Sequence, residues 1–303
     1  MQTKQSIQLF FTRYVTFPDR VILTLLLIGA SITATLNALN YFYWQLPASN
    51  WGYELPLLGV GAVMIFFIAW GMYVKDISPR GSTALWGCGF YFWSFLITTA
   101  MTQSVQATPF SPIDAQLVKA DAWFGVDLPM LMAWTHAHPF LHHWLTKIYY
   151  SMVTELLLIP IILICLNARR TLSIFFIAIL TSFFVGALIY YFFPTMAPSG
   201  IFHSPYFTKA QYHTSDAFFQ VHHHLKITAS DGGLVAFPSF HVIWASILTY
   251  CCRIKKYFFY PALIFNTLLI LATLLLGWHY LMDVLTGIAL AMIAIYIAET
   301  ILK

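Results

Sequence analysis

The amino-acid sequence predicts an all-α fold: a polytopic membrane bundle of about eight transmembrane helices, built as one membrane domain over residues 1–303. Three observations predict it. Of 303 residues, 60% are hydrophobic and only 9% charged, a balance that no water-soluble domain could bury. The apolar residues come in runs near the length that crosses a bilayer, about 20 residues. The lysines and arginines segregate to alternate connections, as the positive-inside rule requires.

The elements follow in chain order. A basic N-terminus leads into the first run, 21–43, with no small-residue cleavage site, so it reads as a retained span and not a removed signal peptide. Runs 55–74 and 84–101 complete a three-helix N-terminal extension over 1–101. Residues 102–143 mix apolar, aromatic and charged positions. They read as short helices lying in the outer interface, where Trp123, Trp134 and Trp144 would rest at headgroup level. Runs 144–166 and 172–193 come next. A second outer connection, 194–235, is polar and rich in Pro, Gly and His. The chain closes with runs 236–252, 257–278 and 281–302.

Eight crossings put both termini on one face, with Lys4, Arg13, Arg20, Lys75, Arg80, Arg169, Arg170, Arg253, Lys255, Lys256 and Lys303. The opposite face keeps Lys119, Lys147, Lys209 and Lys226. This bias predicts an integral membrane protein with cytoplasmic termini. The outer face is then periplasmic in a bacterial inner membrane, the expected location, and lumenal in a eukaryotic cell. No basic run exceeds a few residues, which excludes a nucleic-acid partner. The four cysteines lack C-x-x-C spacing and read as small packing residues.

That topology brings four helix ends together at the outer edge. They carry Pro194, His241, His279 and Asp283. Polar residues distant in sequence but equal in depth are what a site needs. His279 and Asp283 are four apart and share a helix face. A carboxylate there accepts from one ring nitrogen, fixes the tautomer and leaves the other nitrogen's lone pair outward, the logic of an oriented nucleophile. The H-x-x-x-D spacing carries little weight alone; the second histidine at the same depth gives it weight. In "AFPSFH", Pro238 suits a first helical turn and Ser239 a cap. Amides from Ser239 through His241 would then form an anion site. His241 could protonate a leaving oxygen and later take a proton from an acceptor. Together these features suit phosphoryl transfer.

These residues resemble the type 2 phosphatidic acid phosphatase superfamily. Pro238, Ser239 and His241 match its Pro-Ser-x-His signature, and His279, Asp283 and Gly287 match its His-x-x-x-Asp signature with a following glycine. Within it, "ADAWFGVDLP", "FFPTMAP" and "GWHYLMDV" look like elements of the inositol phosphorylceramide synthase and inositolphosphotransferase branch. The resemblance covers about residues 112–290 and makes 144–303 the expected catalytic core, formed by the last five to six helices. It implies His279 as a nucleophile forming phosphohistidine, His241 as general acid and base, Asp283 as orienter, and no metal or other cofactor. It also implies membrane-lipid partners: a phospholipid or lipid-phosphate donor, with a lipid hydroxyl or water as acceptor. The chain departs from the pattern where phosphate-binding basic residues are expected. The family's first signature, a Lys and an Arg-Pro at the end of an earlier span, has no counterpart before Pro194; Ala272-Thr273 stands where a Ser-Arg pair is usual, and Ser199 occupies a place for a basic residue. Ser239, Lys226, Lys147, Pro194 and Ser199 are the substrate-binding candidates, with Lys209 and the outer histidines as further sources of charge.

Other features admit two readings. His222–His224 is a solvated outer loop or a headgroup contact, with a metal site less favoured because three adjacent rings cannot converge. Glu155 is an intramembrane functional acid or a helix–helix contact. Asp114, Asp121 and Asp127 are caps of interfacial helices or headgroup ligands. A lipid phosphate phosphatase, an inert lipid-binding scaffold and a transporter are the competing functions; the last would show repeated halves, which the sequence lacks.

Overall fold

The computed structural model describes residues 14–44, 54–223, 225 and 235–303. Its elements are helices throughout. The first three are α1 (Phe17–Ala38, continued by a π turn to Tyr43), α2 (Glu54–Tyr73) and α3 (Pro79–Gln106). The outer connection folds as α4 (Asp114–Trp123), α5 (Leu128–His136) and the start of α6 (Pro139–Tyr150). Then come α7 (Met152–Cys165), α8 (Arg169–Phe192), α9 (Lys209–His222), α10 (Phe240–Cys251), α11 (Lys256–Leu275) and α12 (Leu281–Ile301).

Six of these helices are long and apolar enough to cross a membrane, and α6 with α7 makes a seventh, bent by 51°. The eighth expected span, 236–252, is the short helix α10, only 12 residues. At 1.5 Å per residue it covers about 18 Å, well under a bilayer's thickness. The expected straight span at 144–166 is broken instead at Ser151, whose hydroxyl bonds back to the Ile148 carbonyl at 2.7 Å and competes with the helical ladder. The third span is longer than 84–101, because Ser78 caps it by accepting from the Gly81 amide and Pro79 suits its first turn.

Hydrogen bonds sort the helix ends into two sets, as alternating crossings demand. At one end Asp19, fully buried, accepts from Trp86 Nε1 at 2.8 Å and Arg169 at 3.3 Å. There too Arg170 and the Tyr250 hydroxyl donate to Glu299. At the other end Asn40 donates to the Ser104 carbonyl, Tyr191 to Asn40, and the Ile113 amide to the Pro194 carbonyl. α8 is buried along nearly its whole length and is the hub against which α1, α3, α10 and α12 pack. Trp123, Trp134 and Trp144 are exposed on the outer helices. Glu155 lies beside Asn266 of α11 and Ser151. Cys251 and Cys252 are buried and all four cysteines are free.

Gly287 sets how closely α12 approaches α10. A Cβ there would lie 2.9 Å from the Ser239 carbonyl oxygen and 3.1 Å from Val242 Cβ. Gly287→Ala should therefore push the helices apart and destabilise by roughly 1–3 kcal/mol, seen as a lower unfolding midpoint in detergent.

Candidate active site

Two tight turns build the site. α11 ends in a left-handed Gly277, φ +76°. The Gly277 amide bonds the Leu274 carbonyl and the Trp278 amide bonds the Thr273 carbonyl. That pairing is a Schellman stop, which glycine permits because it lacks a Cβ. The chain leaves it directly into His279. Three residues into α12, Asp283 Oδ2 reaches back to the Tyr280 amide at 3.0 Å and to His279 Nδ1 at 3.1 Å. One carboxylate oxygen thus caps the helix and orients the ring.

The second turn runs through Ala236–Ser239, with a cis Phe237–Pro238 peptide bond. The Ser239 hydroxyl accepts from the Val242 amide, and the Ser239 amide donates to the Asp283 carbonyl at 3.2 Å. The two histidine motifs are therefore joined through backbone. The rings of His241 and His279 lie 6.0 Å apart, centre to centre, with planes at 60°. His241 also stacks on Tyr149 of α6 at 4.4 Å, and Tyr149 on Trp278 at 4.9 Å. This three-ring ladder braces the His241 ring.

His279 is 4% exposed. Burial lowers its pKa to about 4, opposed by the backbone carbonyl of Ala236. A neutral ring with its proton on Nδ1, facing Asp283, carries its lone pair on Nε2.

The outer helix α4 locks this arrangement. Asp114 and Asp121 are seven residues apart on one face. Asp121 accepts from the Leu281 and Met282 amides at 2.8 and 3.2 Å, filling the start of α12. Asp114 accepts from the Tyr280 hydroxyl and from the Met196 amide, both at 2.9 Å. Burial raises Asp114 to about 6, opposed by the Met196 amide and the Tyr280 hydroxyl. A folded-state pKa above the unfolded value means the native protein binds the extra proton. Its stability should then fall as pH rises from about 4 to about 6, by at most about 3 kcal/mol. Asp114→Asn should abolish that slope, read from unfolding midpoints at about pH 4.5 and about pH 7.

The structure places the other candidates as follows. Ser239 is fully buried, its hydroxyl is committed to the helix cap and its amide to the Asp283 carbonyl, so of the expected anion-binding amides those of Phe240 and His241 remain. Pro194 is buried with its carbonyl bonded to Ile113. Ser199 donates to the Gln211 carbonyl at 2.7 Å. Lys147 is exposed, its ammonium 5.1 Å from the Trp144 ring. Lys226 and His224 lie outside the described residues. Among the described residues no group of three side chains is placed to hold a metal ion. Asp127 caps α5 through the Met130 amide.

Sequence reasoning missed Tyr149 and Trp278 as supports, the reach of Asp114 and Asp121 to α12, and helix α9. For α9 a signal exists: Thr208 and Gln211 form a capping box, with Gln211 Oε1 accepting from the Thr208 amide at 2.8 Å. α9 closes over the site, with Gln211 donating to the Leu276 carbonyl at 2.9 Å. Beyond Tyr280 lies an outer cavity of about 370 Å³, bordered by Asp121, Asp127, Leu128 and Phe202.

A search of curated proteins and of solved structures finds no match to the chain. A family profile described as "PAP2 superfamily" matches residues 115–297, from the first turn of α4 almost to the end of α12. That match covers both histidines, Asp283 and more than half the chain, and the chain belongs to the PAP2 superfamily of membrane phosphatases and phosphotransferases.

Proposed function

We propose that this protein is an integral membrane phosphotransferase that moves a phosphoryl-linked group from a lipid donor to a lipid hydroxyl through phosphohistidine at His279. The observation that carries the reading is the 6.0 Å separation of two imidazoles, one of them held by Asp283. A phosphorus atom fits between such rings.

In the first step the Nε2 lone pair of His279 attacks phosphorus. The bond from phosphorus to the departing oxygen breaks, and that oxygen takes a proton from the His241 ring. A bound phosphate supplies the negative charge that keeps that ring protonated. The Nδ1–H of His279 stays on Asp283, which offsets the positive charge the ring gains. In the second step His241, now neutral, takes the proton of the acceptor hydroxyl. The acceptor oxygen attacks phosphorus, the N–P bond breaks and His279 is restored.

Inositol phosphorylceramide synthases are the branch that the outer segment resembles, which favours a lipid alcohol over water. The cover formed by α9, Tyr149 and Trp278 works in the same direction, since it shields His279 from bulk water. If water is the acceptor instead, the same site is a lipid phosphate phosphatase. The lysine and arginine distribution supports cytoplasmic termini and a site on the opposite side of the membrane, which in a bacterial inner membrane is the periplasm.

Product analysis separates the outcomes. Purified protein with a labelled phospholipid donor should yield a new phospholipid when ceramide or diacylglycerol is present, and little water-soluble phosphate. Release of the soluble group irrespective of acceptor would make it a phosphatase. No product from any phospholipid or lipid phosphate would leave the scaffold reading.

A further inference from the structure

The covering helix α9 carries a histidine that the two-step scheme leaves unused. Nδ1 of His213 is buried and has no hydrogen-bond partner among the described residues. Thr195, 2% exposed just beyond α8, likewise leaves its Oγ1 buried and unpartnered. Buried polar atoms without partners are costly, and native proteins keep few of them unless a ligand or water completes the bond.

Three contacts fix where α9 lies. Ala210 packs on the cluster of Leu145, Tyr149 and Trp278, the same rings that hold His241. Gln211 bonds the Leu276 carbonyl, three residues before His279. Thr214 and Ala217 border a small space shared with Thr195, Tyr190 and Ala236. The Ala236 backbone in turn lies beside the His279 ring. On a helix, Ala210, His213, Thr214 and Ala217 share a side. His213 is on that side of α9, between Ala210 and Ala217 along the helix.

A phosphoryl group in transfer spreads its charge over three equatorial oxygens, and catalysis depends on donors that meet them. Lys119, Lys147 and Lys209, the described lysines of the outer face, are all exposed. No arginine occupies the positions flanking Pro194 or six to seven residues before His279.

We propose that His213 and Thr195 form a clamp for the phosphoryl oxygens, the imidazole N–H and the threonine hydroxyl each donating to a non-bridging oxygen of the phosphate that His279 attacks. The clamp rests on the phosphohistidine reading above and adds the residues that hold the phosphate.

The test uses the full chain in detergent, with orthovanadate as probe and isothermal titration as readout, so it needs no known substrate. Wild-type protein should bind vanadate, and His279→Asn should lose most of that binding. His213→Ala should weaken it by about tenfold or more, and Thr195→Val by about threefold to tenfold, each with wild-type elution and unfolding midpoint. His213→Arg should retain binding within about threefold, because guanidinium again presents an N–H donor to the oxygen. Folded His213→Ala and Thr195→Val proteins that bind vanadate like wild type would overturn the clamp alone. Arginine no better than alanine at position 213 would also overturn it, in favour of packing. A wild-type protein that binds no vanadate would instead overturn the phosphohistidine reading, and the clamp with it.

Discussion

His279→Asn should abolish turnover, by about 10⁵-fold or more, as loss of a nucleophile does in other covalent mechanisms. The fold should survive the change. The asparagine amide can still donate toward Asp283, whose Oδ2 would keep its bond to the Tyr280 amide. The start of α12 is also held independently by Asp121. Steady-state assay of the lipid reaction, with the unfolding midpoint as control, checks this. A variant with an unchanged midpoint and more than about one hundredth of wild-type turnover would remove His279 from the nucleophile's role.

His241→Asn should cost about 10²- to 10⁴-fold with a lipid donor, the usual range for a positioned acid and base. The two half-reactions should respond differently. A donor with a phenolate leaving group needs little protonation, so the first step should recover and the second should not. The expected trace is a burst of phenolate close to one equivalent per protein, followed by a slow phase. His279→Asn should show no burst with the same donor. Equal losses with lipid and phenyl donors would mean that His241 holds the ring ladder and does not transfer protons. Its stacking on Tyr149 at 4.4 Å makes that control necessary.

Much of the fold was legible because hydropathy and charge report membrane crossing directly. The runs ending near Pro194 and His279, and those beginning near His241 and Asp283, had to meet once the alternation was counted. What hydropathy cannot see is where a crossing bends or how deep it starts. The break at Ser151 depends on one hydroxyl competing for a carbonyl. The apolar "AFPSF" lead-in reads as part of a span, but Ala236–Ser239 is a turn and α10 is correspondingly short. α9 was hidden by its polar composition, which hydropathy scores as loop although its capping box is present.

The candidate site was half legible for a similar reason. His279 and Asp283 are four residues apart, so local geometry announces the pair. The grip of Asp114 on Tyr280 spans 166 residues and that of Asp121 on Leu281 spans 160. Local helix chemistry offers a complete role for an aspartate at such positions, as a cap. Asp127 fills that role, while Asp114 and Asp121 serve another helix. The seven-residue spacing of the pair was the available sign that both face one partner. Tyr149 had no local sign at all, since an aromatic near a helix end suits any interfacial segment.

The account stands or falls on a covalent intermediate at one atom. The most direct measurement is acid-free quenching of the protein with a phosphorus-labelled donor, followed by peptide mapping of the adduct by mass spectrometry. The prediction is a single phosphorylated site, His279, labile to acid, stable to base, and absent in His279→Asn. Label on His241, on a serine or on an aspartate, or turnover with no protein-bound label at any time point, would contradict it.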